Sequence, residues 1–243
     1  MKMQHKKRPW PLWKKLSLSL LTAVLLLVLG FALYVSNYYH AQAYEPKDTV
    51  TTESDDYYTY GDKNSGTGFI FYPGGLVEAK SYAPLLERIA GKNVFCVLVK
   101  MPFHLAVFNS NGADTVIRDF PDVKHWYLGG HSLGGAMASS YAQKHEDSLE
   151  GLVLLAAYPT DTLRSLPVLS IYGSRDGVLN REKYKGSIKN AKICNEIIIQ
   201  GANHAGFGNY GEQKKDKTAG ISGEEQWDST AEYILEFMDA LAD

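Results

Sequence analysis

Cysteine is scarce in this chain. The 243 residues contain two, Cys96 and Cys194, each inside an apolar, strand-like run. Buried free thiols are the expectation for both; a bridge between them is geometrically open, but two cysteines alone do not define one. No C-x-x-C pair and no cluster of ligand residues at metal-binding spacing occurs, so neither a metal nor a cofactor is expected. Internal repeats are lacking too, which excludes a repeat architecture. Two further absences are local: residues 1–15 hold no acid, and Leu16 to Ser36 hold no charge of either sign.

Together these two gaps describe a membrane address. An uncharged apolar run of 21 residues is about the length that spans a bilayer as a helix. Before it stand Lys2, Lys6, Lys7, Arg8, Lys14 and Lys15. By the positive-inside rule, residues 1–15 stay cytoplasmic, 16–36 form a single-pass signal-anchor, and the remainder is delivered outside the cell membrane. Trp10 and Trp13 on one flank, and Tyr34, Tyr38 and Tyr39 on the other, suit the two interfaces. Secretion is the competing reading, because Ala41-Gln42-Ala43 has the small-x-small form of a signal-peptidase site and would place cleavage near Ala43. The apolar run exceeds the usual h-region of about 7–15 residues, which favours the anchor.

Composition is otherwise ordinary, with 45% hydrophobic and 21% charged residues over the whole chain, enough for one sizeable core. Six of the 25 basic residues and none of the 27 acidic ones precede residue 16, which leaves residues 16–243 with a net charge of −8. An acidic domain repels phosphates, so nucleic acid is not an expected partner. Oligomeric state has no signature in the sequence.

Residues 37–56 are polar and acidic and read as a stalk; 57–243 read as the folded domain. Within the domain the spacing predicts strands at Tyr57 to Tyr60, Phe69 to Tyr72, Val94 to Val99, Trp126 to Leu128, Gly151 to Ala156, Val168 to Tyr172 and Cys194 to Ile199. Helices are expected at Glu78 to Ala90, Ala113 to Phe120, Ala136 to His145, Asn180 to Ile188 and Glu224 to Leu241. Strand and helix alternate, and several strands are continuously apolar. Both features argue an α/β fold with a doubly wound, mostly parallel sheet. No long insertion lies between Gly151 and Leu166, so there is little room for a lid.

The chemistry centres on Gly130-His131-Ser132-Leu133-Gly134, a G-x-S-x-G sequence between a strand and a helix. Such a turn strains the serine backbone and lifts its hydroxyl above the sheet. In these sheets reactive groups gather at the carboxyl ends of strands. Two later strand ends carry Gly173-Ser174-Arg175-Asp176-Gly177 and Gly201-Ala202-Asn203-His204-Ala205-Gly206. The order Ser132, Asp176, His204 is that of a serine–acid–histidine triad in this architecture. Ser132 is the expected nucleophile, His204 the base and acid, and Asp176 the group that orients it. Asp161 is a rival for the acid. The backbone N–H of Leu133 is one expected oxyanion donor, and the Pro73-Gly74-Gly75-Leu76 loop the source of the other, from Gly75 or Leu76. Of the remaining histidines, His131 should point into neighbouring structure, His104 lies near the site, and His5, His125 and His145 look like surface positions.

The chain from about Asn37 onward resembles a bacterial membrane-anchored α/β-hydrolase family, the α/β-hydrolase fold-5 group, whose members carry dienelactone-hydrolase-like labels. The matching runs are Phe71-Tyr-Pro-Gly-Gly-Leu-Val-Glu-Ala-Lys80, Lys100-Met-Pro-Phe103, Gly129-Gly-His-Ser-Leu-Gly-Gly-Ala136 and Asn203-His-Ala-Gly-Phe-Gly-Asn-Tyr-Gly-Glu-Gln213. The resemblance implies the same triad and an oxyanion contribution from the Gly74 to Leu76 loop. Two departures lie beside it: Gln213-Lys-Lys-Asp216 replaces the family's usual Gln-Lys-Gly-Asp, and Gly206 stands where a larger polar residue is common. Both bear on loop shape or substrate range. The expected function is a serine hydrolase cleaving a small-molecule or lipid ester or a similar acyl bond. The alternatives are an acyltransferase using the same triad and a non-catalytic surface binding module on the hydrolase fold.

Overall fold

In the computed structural model the charge-free run of leucines and valines lies in one continuous helix. The structure describes residues 11–45 and 51–242; Lys2, Lys6, Lys7, Arg8 and Trp10, on which the cytoplasmic expectation rests, lie outside them. Helix α1, Leu12–Ser36, forms a unit by itself, with none of its residues buried. Its 25 residues are long and apolar enough to cross a membrane.

The second unit runs from Tyr38 and is organised on one sheet of eight strands in the order β1-β2-β4-β3-β5-β6-β7-β8. The strands are β1 Thr51–Glu53, β2 Tyr57–Tyr60, β3 Thr67–Tyr72, β4 Phe95–Val99, β5 His125–His131, β6 Gly151–Leu155, β7 Val168–Gly173 and β8 Cys194–Ile199. β1 and β2 are antiparallel to their neighbours and all other pairs are parallel. The helices are α2 Ala83–Ala90, α3 Gly112–Asp119, α4 Leu133–Ala142, α5 Arg181–Ser187 and α6 Gly223–Ala242.

The continuous apolar runs are explained by burial on both faces. On β3, Phe69 and Phe71 pack in one layer with Leu85, Leu86 and Ile89 of α2 and Ala231 and Ile234 of α6. Ile70 and Tyr72, one residue out of phase, pack in the other with Ala113 and Val116 of α3 and Ala138 and Tyr141 of α4. The strand order changes direction at the parallel neighbours β3 and β5, whose carboxyl ends lie side by side at the sheet centre. A crevice for chemistry belongs there.

Two expectations change. Residues 37–56 are not a free spacer where they are described. The Tyr39 N–H donates to the Leu76 carbonyl at 2.8 Å, and the Glu78 N–H returns to the Tyr39 carbonyl at 2.9 Å. The Ala41 N–H donates to Glu78 Oε2 and the Gln42 N–H to the Asn209 carbonyl. Tyr38 stacks on His104 and Tyr39 packs beside Tyr210, so both tyrosines make contacts of their own with the domain. Farther on, β1 extends the sheet from within the supposed stalk. The second change concerns Cys194. Cys96 is buried as expected, but Cys194 is exposed, because β8 is the last strand of the sheet and its outer half has no covering layer. Both thiols are free.

Candidate active site

The turn between β5 and α4 is as tight as the sequence implies. Ser132 sits at φ 52° and ψ −118°, a strained conformation for a residue with a side chain. It is held there by its N–H, which donates to the Leu155 carbonyl at 2.9 Å, and by the first turn of α4, whose Ala136 N–H donates back to the Ser132 carbonyl. The turn closes only because of glycine. A Cβ on Gly130 would lie 2.6 Å from the Gly134 backbone, and one on Gly134 would lie 2.3 Å from the Tyr72 and Pro73 carbonyl oxygens. Helix α4 therefore starts at Leu133, three residues before the expected Ala136, directly after the nucleophile candidate.

Asp176 and His204 come from turns after β7 and β8 and meet: His204 Nδ1 lies 2.9 Å from Asp176 Oδ2, with both side chains essentially inaccessible. The other carboxylate oxygen, Oδ1, accepts from the Val178 and Leu179 N–H groups at 2.8 Å each. Burial by itself pushes the Asp176 carboxyl up. The His204 hydrogen bond and charge, with those two N–H groups, more than offset it and hold the carboxyl below the ordinary aspartate value. His204 Nε2 is buried and has no hydrogen-bond partner among the described residues. The ring lies against His131, the residue before Ser132, with centroids 4.5 Å apart. Asp161 is elsewhere: it is exposed, and its carboxylate accepts from the Thr162 N–H.

Of the expected oxyanion donors, the structure separates three cases. The Leu133 N–H opens α4, where no helical acceptor exists for it. Gly75 abuts this residue so closely that a Cβ would come within 2.8 Å of Leu133 Cδ2, and its own N–H makes no hydrogen bond among the described residues. Leu76 is corrected. Its N–H donates to the His104 carbonyl at 2.8 Å, so it is already engaged. The bond is made possible by a left-handed turn at Phe103 and His104, each at φ 56°.

Two further residues hold the site, and the sequence pattern assigns neither a part in it. Tyr82 reads from its spacing only as a core position on a helical face; its buried hydroxyl accepts from the Gly74 N–H at 3.0 Å and lies 2.8 Å from His131 Nδ1. Asp216 lies in the Gln213 to Asp216 run noted for its departure from the family pattern. Its carboxylate accepts from the Gly177 and Ala205 N–H groups, one next to Asp176 and the other next to His204. Gly206, the other departure, is fitted to this chain: a Cβ there would lie 2.2 Å from Gln226 Oε1, which accepts from the Asn203 N–H.

Among the described residues no group of side chains could hold a metal ion. Residues 68–228 match the alpha/beta hydrolase family. No curated protein matches the sequence. Solved structures share the fold at low identity. Est1E from Butyrivibrio proteoclasticus is 16% identical, over 81% of this chain and 99% of its own, with a TM-score of 0.57. A thermophilic esterase from Thermogutta terrifontis is 11% identical, over 80% and 99%, with a TM-score of 0.58. A membrane phospholipase A, described as a bacterial virulence factor, is 13% identical, over 94% and 98%, with a TM-score of 0.57.

Proposed function

This chain belongs to the alpha/beta hydrolase family, and from that premise we propose that it is a serine hydrolase acting on an ester or similar acyl bond. The observation that carries the reading is the 2.9 Å bond between His204 Nδ1 and Asp176 Oδ2, beside the strained turn of Ser132. Ser132 Oγ attacks the acyl carbon while its proton passes to His204 Nε2. The tetrahedral oxyanion takes hydrogen bonds from the Leu133 and Gly75 N–H groups. His204 then gives the proton to the leaving oxygen as its bond to carbon breaks, which leaves Ser132 acylated. Water, losing a proton to His204, attacks the acyl carbon; Ser132 Oγ departs and recovers its proton. Asp176 orients the ring and supports its positive charge in both halves.

The substrate reading is taken from the rim. Phe103 and Phe108 are about half exposed, with ring centroids 5.5 Å apart, in the loop whose His104 carbonyl fixes the oxyanion loop. An apolar acyl or alkyl group suits such a rim. Between β6 and β7, residues 156–167 carry no helix, and so short a connection without a lid helix favours small or accessible esters.

Helix α1 serves, in this reading, as an uncleaved single-pass anchor with the catalytic domain outside. Cleavage near Ala43 would detach the segment whose Tyr39, Ala41 and Gln42 bond to Leu76, Glu78 and Asn209.

Fluorophosphonate labelling of the wild type and Ser132→Ala tests the chemistry. Covalent uptake by the wild type alone is expected; equal uptake by both, or none by the wild type, overturns the reading. For the anchor, the protein should stay with membranes through an alkaline wash, and a soluble product beginning at Tyr44 would refute it.

A further inference from the structure

The acid and the base of the candidate triad stand on turns after two different strands, β7 and β8. Upstream of the pair the turns are joined by the Arg175 N–H, which donates to the Ala202 carbonyl, and by the Gly201 N–H, which donates to Ser174 Oγ. Downstream of it a carboxylate joins them. Asp216 Oδ1 accepts from the Gly177 N–H at 2.8 Å and from the Lys217 N–H at 2.9 Å, while Oδ2 accepts from the Ala205 N–H at 2.8 Å. Gly177 directly follows Asp176, and Ala205 directly follows His204. One planar group thus grips the main chain immediately after each partner of the 2.9 Å contact. The grip is close on the acid side: a Cβ on Gly177 would lie 2.6 Å from the Lys215 carbonyl oxygen. All these bonds to Asp216 come from main-chain N–H groups, so its action on the triad passes through the backbone.

We propose that Asp216 is a positioning residue for the triad, setting the register of Asp176 against His204 by strapping their loops together. The proposal rests on the reading of Ser132, Asp176 and His204 as a working triad. Asparagine at 216 presents one oxygen and one amide NH2. The NH2 cannot accept from an N–H, so one loop is released while size is kept. Glutamate keeps the charge but moves the carboxylate by one methylene, so neither strap retains its geometry. Displacement of a catalytic group by about 1 Å costs on the order of 100-fold in rate.

The full-length protein is labelled with a fluorophosphonate, and the rate constant and the final labelled fraction are read separately, beside kcat and KM on a soluble ester. The final fraction counts folded sites; the rate constant reports how well Ser132 is activated. Asp216→Asn is expected to reach the wild-type fraction with a rate constant lower by about 10-fold or more, with kcat falling in parallel and KM little changed. Asp216→Glu is expected to be slow as well, and it carries the same comparison if Asp216→Asn is recovered unfolded. A wild-type rate constant in Asp216→Asn overturns the proposal. So does a wild-type rate constant in Asp216→Glu, since that would assign any effect to charge rather than to the strap. Failure of the wild type to label is a different outcome and defeats the triad reading itself.

Discussion

The Tyr82 hydroxyl lies 2.8 Å from His131 Nδ1, and through this contact the residue before the nucleophile candidate is tied to the loop of Gly74 and Gly75. The Gly74 N–H donates to the same hydroxyl, which keeps a proton of its own. Burial pushes the Tyr82 phenol far up, which keeps that proton in place. Replacing Tyr82 by phenylalanine preserves the ring and strands both partners. Stability should fall by about 1–3 kcal/mol. More telling is the kinetic split: kcat should drop about 10-fold or more with KM little changed, and the affinity of a boronate transition-state analogue should fall in step with kcat/KM. An unchanged kcat would show that Gly74 and Gly75 need no such support.

His131 gives a pH signature of its own. Burial, then the adjacent charge of His204, hold its imidazole well below 6.5, against a smaller opposing pull from the His204 main chain. A histidine whose folded value lies below its unfolded value leaves the unfolded chain the better proton binder. Its contribution to stability is therefore complete above about pH 6.5 and is lost progressively as pH falls from there towards the folded value. Urea unfolding between pH 7.5 and 5 should show this slope. The ring resonances of His131 should still be those of neutral imidazole at pH 6.5, and a midpoint between pH 6 and 7 would contradict the prediction.

The parts of this site that are legible in the sequence are those fixed by one strand end each. Ser132 is marked by glycines that a sharp turn requires, and Asp176 and His204 by their positions after β7 and β8. Alternating apolar and turn segments likewise imply the parallel sheet, because each buried strand must be apolar on both faces. What stays hidden depends on which polar groups are left unpaired once distant segments meet. Nothing in Pro73 to Leu76 says that His104, in a loop after β4, takes the Leu76 N–H and leaves that of Gly75. Nor does the polar composition of residues 37–56 reveal that Tyr39 and Ala41 find partners in Leu76 and Glu78. The exposure of Cys194 is hidden for a related reason: an apolar strand reads the same at the centre of a sheet and at its edge.

Lys215 offers a test of local strain. It stands where the resembling family usually has glycine, and it adopts φ 73°, the left-handed region. The side chain is exposed, so removing it forfeits little packing. Lys215→Gly should therefore raise stability by about 1 kcal/mol, less the greater entropy glycine gives the unfolded chain, with activity unchanged. Lys215→Val, branched at Cβ, should lower it. A loss of stability in the glycine variant would mean that the lysine holds the loop by contacts of its own.

Glu146, far from any catalytic role, should govern acid stability. Its carboxylate accepts from the N–H groups of Arg164, Ser165 and Leu166 and from the Ser165 hydroxyl, and so pins the loop that leads into β7. Burial favours the neutral form, but those donors outweigh it and bring the carboxyl from 4.5 down to about 2. A carboxylate depressed in the folded state stabilises that state above its unfolded value. Here the contribution is complete above about pH 4.5 and disappears as pH falls through about 2. Glu146→Gln should be less stable than the wild type at pH 7, and the gap should narrow steadily between pH 4.5 and 2. Thermal or urea unfolding of the two proteins across that range measures it. A gap that stays constant with pH would mean that the side chain acts by packing and not through its charge.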